Sequence, residues 1–191
     1  MKFCTQCGAA LNIVVPDGDN RPRSVCDSCG FIHYQNPKIV TGVVPEWEGK
    51  VLLCRRAIEP RYGLWTLPAG FMENGESAHE GAAREAMEEA NARIDITGLY
   101  TLFNLTHISQ VYMLYRGQLL DLNFGPGEES LEVKLFSREE VPWEELAFQV
   151  VRETLGFYFQ DLESGNFILR NGTIDRNTKD RSGYRMRLLE G

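Results

Sequence analysis

Glu85, Glu88 and Glu89 lie in the run Arg84-Glu85-Ala86-Met87-Glu88-Glu89-Ala90, which starts fourteen residues after Gly70, the first residue of the glycine-bearing loop Gly70-Phe71-Met72-Glu73-Asn74-Gly75. At 3.6 residues per turn the three acids project within roughly a 100° arc of one helix face. Like charges four residues apart oppose a helix by about 0.2–0.5 kcal/mol per pair. Arg84 can pair with Glu80 behind it and Glu88 ahead of it, yet three carboxylates exceed one arginine. A hard divalent cation would compensate for the excess. Mg²⁺ takes oxygen ligands and is commonly shared between a few carboxylates and the phosphates of a substrate. On the glutamates alone, a solvated acidic face is the plainer reading. The alanines at 78, 82, 83, 86 and 90 weigh against it, because they let the helix lie close against a sheet. A closely packed helix crowded with carboxylates needs a reason for the crowding.

A second set of ligands stands near the N-terminus. Cys4-x2-Cys7 and Cys26-x2-Cys29, with eighteen residues between the pairs, have the spacing of a four-cysteine zinc site. Each short turn aims two thiolates at one centre, and the glycines that follow, Gly8 and Gly30, ease a turn with positive φ. Two disulfides or a redox-active pair would be the alternatives. The absence of a secretion signal disfavours the first, and no thioredoxin-like context supports the second. Cys54, inside Val51-Leu52-Leu53-Cys54, reads as a buried core thiol. The polar stretch 16–22 between the cysteine pairs reads as a hairpin tip, and scaffolding is the favoured role of this ribbon.

The elements that must position these groups can be read from the pattern. Ser77 and Glu80 form a capping box opening a helix over Ala78–Ala90. Strand-like runs are Ile39–Val44, then Lys50–Arg55 after a Glu48-Gly49 turn, Leu64–Pro68, Ile94–Ile96, Leu99–Leu105, Val111–Leu119 and Leu131–Phe136. Leu146, Val150, Val151, Leu155, Phe159 and Leu162 recur at helical steps and predict a second amphipathic helix. Strands interrupted by one helix and closed by another give a mixed α/β sandwich. The expected organisation is a zinc ribbon over 1–34, a catalytic domain over 35–165 and a basic extension over 166–191.

The chain carries 20 basic and 27 acidic residues, a net charge of −7. That balance argues against a general nucleic-acid binder, which needs basic surface. The last 26 residues run the other way, with six basic residues against three acidic. That tail, Arg170 through Arg187, could touch phosphates or close over the acidic body, and the second is the preferred reading. No apolar run is long enough to span a bilayer, and the first eight residues hold no signal-peptide core. The expectation is a cytoplasmic protein with no membrane partner.

Gly70-x5-Glu76-x7-Arg84-Glu85-Ala86-x-Glu88-Glu89-x-Asn91-Ala92 resembles the box of the Nudix hydrolases, G-x5-E-x7-R-E-U-x-E-E-x-G-U, where U is aliphatic. The six fixed positions up to the last acid match. Asn91 replaces the family's glycine and is the next most tolerant residue for a left-handed helix cap. Ala86 and Ala92 are small for the aliphatic positions and point to tight packing. Leu64-Trp65-Thr66-Leu67-Pro68-Ala69-Gly70 is similar to the family's lead-in strand.

The resemblance implies a Nudix-type α/β/α sandwich with a mixed sheet, and hydrolysis of a nucleoside diphosphate derivative with Mg²⁺ or Mn²⁺. It implies Glu85 and Glu89 as metal ligands, Glu88 as a third ligand or a water-orienting group, and Glu76 and Arg84 as a brace between loop and helix beside Gly70. The backbone near Ala69 and Gly70 would offer a carbonyl. A later acid, Glu129 or Glu132, would complete the set. A homodimer is also implied.

Ribbon-bearing members fall into two groups. The NADH pyrophosphatases, which also remove NAD caps from RNA, carry a Ser-Gln-Pro-Trp-Pro-Phe-Pro signature; Leu102–Gln110 lacks it. Plant chloroplast members that hydrolyse FAD and ADP-ribose are more similar, through the connector Tyr34-Gln35-Asn36-Pro37-Lys38 and the stretch from Gly125 to Glu132. Ile108 stands where ADP-ribose-specific members often have proline. FAD, split to FMN and AMP, is therefore the expected substrate, with ADP-ribose beside it and an NADH pyrophosphatase or NAD-cap-removing hydrolase as the alternative. Phe71, Phe103 and Tyr112, with Trp65, are candidates to stack a base or flavin, although burial is the commoner fate of aromatics. His107 reads as a surface residue at a strand end, and neither His33 nor His79 is a strong candidate. The rival of another class is a non-catalytic nucleotide-sensing or ribbon interaction module, in which the metal glutamates would usually be lost.

Overall fold

Residues 1–177 and 183–189 are described by a computed structural model, in which the chain forms two compact units, Met1–Pro37 and Lys38–Gly191. In the first unit, β1 (Asn12–Val14), β2 (Arg23–Val25) and β3 (Ile32–His33) make a three-stranded antiparallel sheet. The predicted polar tip joins β1 to β2. The fully buried side chains of this unit are Cys4 and Cys26, so no apolar core forms among residues 1–37.

The second unit begins with β4 (Lys38–Trp47) and β5 (Lys50–Arg56), joined where Glu48 and Gly49 both take positive φ, the geometry of a tight hairpin. The lead-in segment yields two short strands, β6 (Trp65–Thr66) and β7 (Ala69–Phe71). Helix α1 spans Ala78–Ala90 as the capping box predicts, with Glu80 accepting the Ser77 N–H at 2.8 Å. The runs predicted as separate strands at 94–96 and 99–105 are one strand, β8 (Ile94–Leu105). Register shifts around Gly98 absorb the break in alternation, as bulges do. There follow β9 (Gln110–Leu119), β10 (Ser130–Phe136) and α2 (Gln149–Ser164). The C-terminal segment adds β11 (Arg170–Arg176) and β12 (Tyr184–Leu188) to the sheet; Lys179 and Arg181 lie outside the described residues.

The mixed sheet runs β10-β5-β4-β9-β8-β11-β12, with β4–β9 and β8–β11 parallel. Alternation along β4 divides its faces. Val43 packs with Ala82 and Ala86 of α1, while Val40 and Val44 pack with Val150, Val151 and Leu155 of α2. The helices therefore cover opposite faces, and the architecture is the α/β sandwich expected. Strand β4 pairs with β5 only at Glu46–Trp47 and with β7 at Val40–Gly42. The two long strands part there, and β7 brings the glycine loop against α1.

Candidate active site

Alanines make the close approach of α1 possible. Ala82, Ala86 and Ala90, one per turn, are fully buried, and Ala92 is nearly so. The same side of the helix then carries Glu85 and Glu89 inward, 8% and 7% exposed, while Glu88 stays half open. Space for Glu85 comes from Gly70. A Cβ at that position would stand 2.3–2.5 Å from the Glu85 carboxylate.

Arg84 organises the mouth. Its Nε and Nη2 donate to the two oxygens of Glu76 at 2.9 and 2.8 Å, Nη1 donates to Glu85 at 2.8 Å and Glu88 at 2.9 Å, and Nη2 also donates to the Phe71 carbonyl at 3.2 Å. Glu76 accepts the Glu73 N–H at 2.8 Å as well. With Arg84 foremost, these bonds hold the Glu76 carboxyl down to about 2. Loop and helix are thus tied through one arginine, and Glu76 faces it rather than the cleft.

Glu89 has no such partner. Its Oε2 is buried and accepts no hydrogen bond among the described residues. Burial first, then the charge of Glu85, push its carboxyl up to about 8; Arg56 and the Ala69 N–H only partly offset this. Burial likewise raises Glu85, against the pull of Arg84. Two buried carboxylates, one with an unsatisfied oxygen, suit a hard cation that takes oxygen donors and restores their charge. The donor set fits Mg²⁺ or Mn²⁺.

These groups border a cleft of about 1140 Å³. Glu85, Glu88, Glu89 and Glu129 line it, and Glu129 lies close enough to raise both Glu85 and Glu89. Glu132 does not line it; it sits 4.0 Å from Arg55, past a register shift between Ser130 and Glu132. Of the aromatic candidates, Phe71 and Tyr112 border the cleft, with the Lys38 ammonium 4.6 Å from the Phe71 ring centroid. Phe103 does not; it is fully buried and stacks on Phe157. Trp65 is also core, edge-on to Phe136. His107 is exposed, as expected of a surface residue, and borders the cleft with its ring 6.0 Å from that of Tyr184.

Sequence reasoning missed Arg56 and Phe148. Arg56 is 9% exposed, donates Nε to the Pro60 carbonyl at 3.0 Å and stands 5.2 Å over the Phe148 ring. It lines the cleft, and no ion pair with a carboxylate is found for it among the described residues. A buried guanidinium with free donors facing a cleft is suited to an anionic oxygen. The repeated Arg55-Arg56 was the available signal, but strand parity had to be known to choose between them.

In the ribbon unit the four cysteine sulfurs lie within 4.8 Å of one another, with Cys4–Cys29 at 3.7 Å and Cys7–Cys26 at 3.5 Å. Four thiolates tetrahedral at about 2.3 Å from Zn²⁺ stand about 3.8 Å apart, so the cluster has nearly the size of a zinc site. Gly8 and Gly30, at φ 75° and 74°, return their N–H groups to the carbonyls of Cys4 and Cys26. The backbone N–H of Cys29, foremost, lowers the Cys26 thiol to about 7 despite burial. All five cysteines are unpaired as disulfides.

The Nudix N-terminal zinc-ribbon model matches residues 2–35, and the NUDIX domain model matches residues 36–155. The chain belongs to the Nudix family. A crystal structure of a NUDIX hydrolase from Nitrosomonas europaea is similar with a TM-score of 0.89 at 55% identity, over 92% of this chain and 99% of that one. The NAD-capped RNA hydrolase NudC of Vibrio atlanticus (strain LGP32) is 33% identical over 103 residues, 52% of this chain and 34% of that protein. An ADP-ribose pyrophosphatase of Methanocaldococcus jannaschii is 27% identical over 122 residues, 60% of this chain and 69% of that protein. The chain thus spans about a third of the length of the NudC relative. No described helix is long and apolar enough to cross a membrane.

Proposed function

We propose that this chain hydrolyses the diphosphate bond of a nucleoside diphosphate derivative, with Mg²⁺ or Mn²⁺ held by Glu85, Glu89 and Glu129 and flanked by Glu88. The observation that carries this reading is the buried, unpartnered Oε2 of Glu89 facing a large cleft beside two further acids. A cation there neutralises phosphate oxygens and lowers the pKa of an attacking water. The chain's own groups do the rest. Arg56 receives an anionic oxygen of the diphosphate from the wall of the cleft, and its packing on Phe148 fixes the direction of its donors. Tyr112 and Phe148 offer an apolar edge for the ring system beyond the phosphates. Arg84 and Glu76 hold the loop so that Gly70 leaves room for Glu85. Water attacks one phosphorus, the bridging P–O bond breaks, and two phosphomonoesters leave.

FAD, giving FMN and AMP, is the substrate favoured by the resemblance of the connector and of the 125–132 stretch. A second reading, an NAD-derived or ADP-ribose substrate, is favoured by what the Vibrio and Methanocaldococcus relatives act on. It readmits capped RNA as a partner despite the chain's net charge of −7. The ribbon cysteines are assigned a structural Zn²⁺, and the protein is assigned as a homodimer.

Purified protein with Mg²⁺ should be given FAD, ADP-ribose, NADH and NAD-capped RNA separately, and the mononucleotide or 5′-phosphate products measured. Fastest release from FAD is the expected result. Fastest release from NADH or capped RNA would move the assignment to the second reading. Release from none would leave a non-catalytic nucleotide-binding module.

A further inference from the structure

At the end of α1 a single side chain ties the box helix to the loop that carries Glu129. Asn91 caps the helix at φ 48°, ψ 30°, in the left-handed region. Glycine would meet that backbone demand equally well. Asparagine adds an amide, and its Nδ2 donates to the carbonyls of Gly125 and Pro126, each at 3.2 Å. The same segment is drawn in by backbone bonds, Gly125 N–H to Ala90 O at 2.9 Å and Gly127 N–H to Glu89 O at 3.0 Å. The approach is too close for any side chain, since a Cβ on Gly127 would stand 1.7 Å from the Glu88 carbonyl oxygen. Two residues on, the Glu129 carbonyl accepts the Ala57 N–H at 2.7 Å, and Ser130 N–H donates to Gly127 O at 3.1 Å. Residues 125–130 therefore span from the last turn of α1 to the end of β5, with Glu129 at the cleft.

We propose that Asn91 is a positioning residue that clamps Gly125–Pro126 onto the end of α1 and so holds Glu129 within the cation-binding cluster. The inference rests on the reading of that cluster given above. Its distinguishing feature is that the amide, not the helix cap, does the work.

Asn91→Gly separates the two, because glycine keeps the left-handed cap and removes only the donor. Mn²⁺ binding, followed by electron paramagnetic resonance with the ribbon's zinc in place, should weaken about three- to tenfold, the loss of two partly exposed hydrogen bonds. Amide exchange over residues 125–130 should quicken while α1 keeps its protection. Glu129→Gln should weaken Mn²⁺ as well, and the double variant should be no weaker than Glu129→Gln alone. Asn91→Asp, which also tolerates the left-handed backbone, should behave like Asn91→Gly. Unchanged Mn²⁺ affinity in Asn91→Gly, an additive double variant, or lost protection throughout α1 would each overturn the clamp. If the wild type does not bind Mn²⁺ in the cleft at all, the proposed function fails first.

Discussion

The ribbon gathers four thiols and the sandwich gathers carboxylates around a cleft, but they do so on opposite structural terms. Within residues 1–37 the buried side chains are two of the cysteines themselves, so nothing apolar holds the three short strands together. The sandwich has a large apolar core between sheet and α2, and its acids lie outside that core at the cleft. On the proposed assignment, ligands in the first region serve folding, and in the second the buried acids are a cost to folding. A buried oxygen of Glu89 with no partner among the described residues is the signature of that cost.

The sharpest way to break this contrast is Cys26→Ser. Zinc binding supplies about 10–16 kcal/mol to small four-ligand sites. Bound zinc should fall from about one per chain to near zero, and amide protection over residues 1–37 should vanish. Melting of the 38–191 body should move by less than about 2 °C. A ribbon that stays protected would mean that its fold does not depend on its thiols.

Glu89→Gln tests the other half. Turnover with Mg²⁺ should fall at least about a hundredfold, the order of loss when charge stabilisation at a reacting group is removed. Melting of the metal-free protein should not fall, because the neutral amide fills the same space as a carboxyl that burial already holds largely protonated near neutral pH. Near-wild-type turnover would sink the assignment of the cation site.

Asp161→Asn sharpens the claim that the sandwich owes its stability to its own core and its buried polar links. Asp161 accepts from both Nη atoms of Arg170, at 2.5 and 2.6 Å, and from the Tyr100 hydroxyl at 2.8 Å, joining α2 to β11 and β8. Burial raises this carboxyl, but Arg170 and Tyr100 prevail and hold it below the ordinary aspartate value. A folded-state pKa below the unfolded one gives stability that is present at neutral pH and lost as pH falls through the carboxylate range. The variant should lose about 3 kcal/mol of stability in urea unfolding at neutral pH. The gap to wild type should narrow below about pH 4. The half-saturating Mg²⁺ concentration should be unchanged, which separates fold from site.

Much of the site was legible because its residues are local. The helical period of Glu85, Glu88 and Glu89, the capping box at Ser77 and the glycine at 70 lie within twenty residues, and their geometry follows from one helix and one loop. Asn91 was readable as a left-handed cap for the same reason. The choice between Glu129 and Glu132 was not readable. Both acids lie about forty residues from the box, and a register shift between Ser130 and Glu132 breaks the alternation that would have ranked them. Phe103 and Tyr112 face each other in register across β8 and β9, yet one is core and the other borders the cleft. Arg56 escaped notice because neighbouring arginines on a strand point to opposite faces, and only the packed sheet says which face is the cleft.

The sequence alone determined what depends on short-range periodicity and ligand chemistry: two thiol pairs set for one tetrahedral centre, and an acidic stripe on a helix able to approach a sheet. The tertiary structure decided what depends on bringing distant segments together. It placed Glu129 but not Glu132 at the cleft, buried Arg56 there, withdrew Phe103 and left one oxygen of Glu89 without a partner among the described residues. Burial and close approach are properties of the packed chain, and they set charge and reach where periodicity has nothing to say.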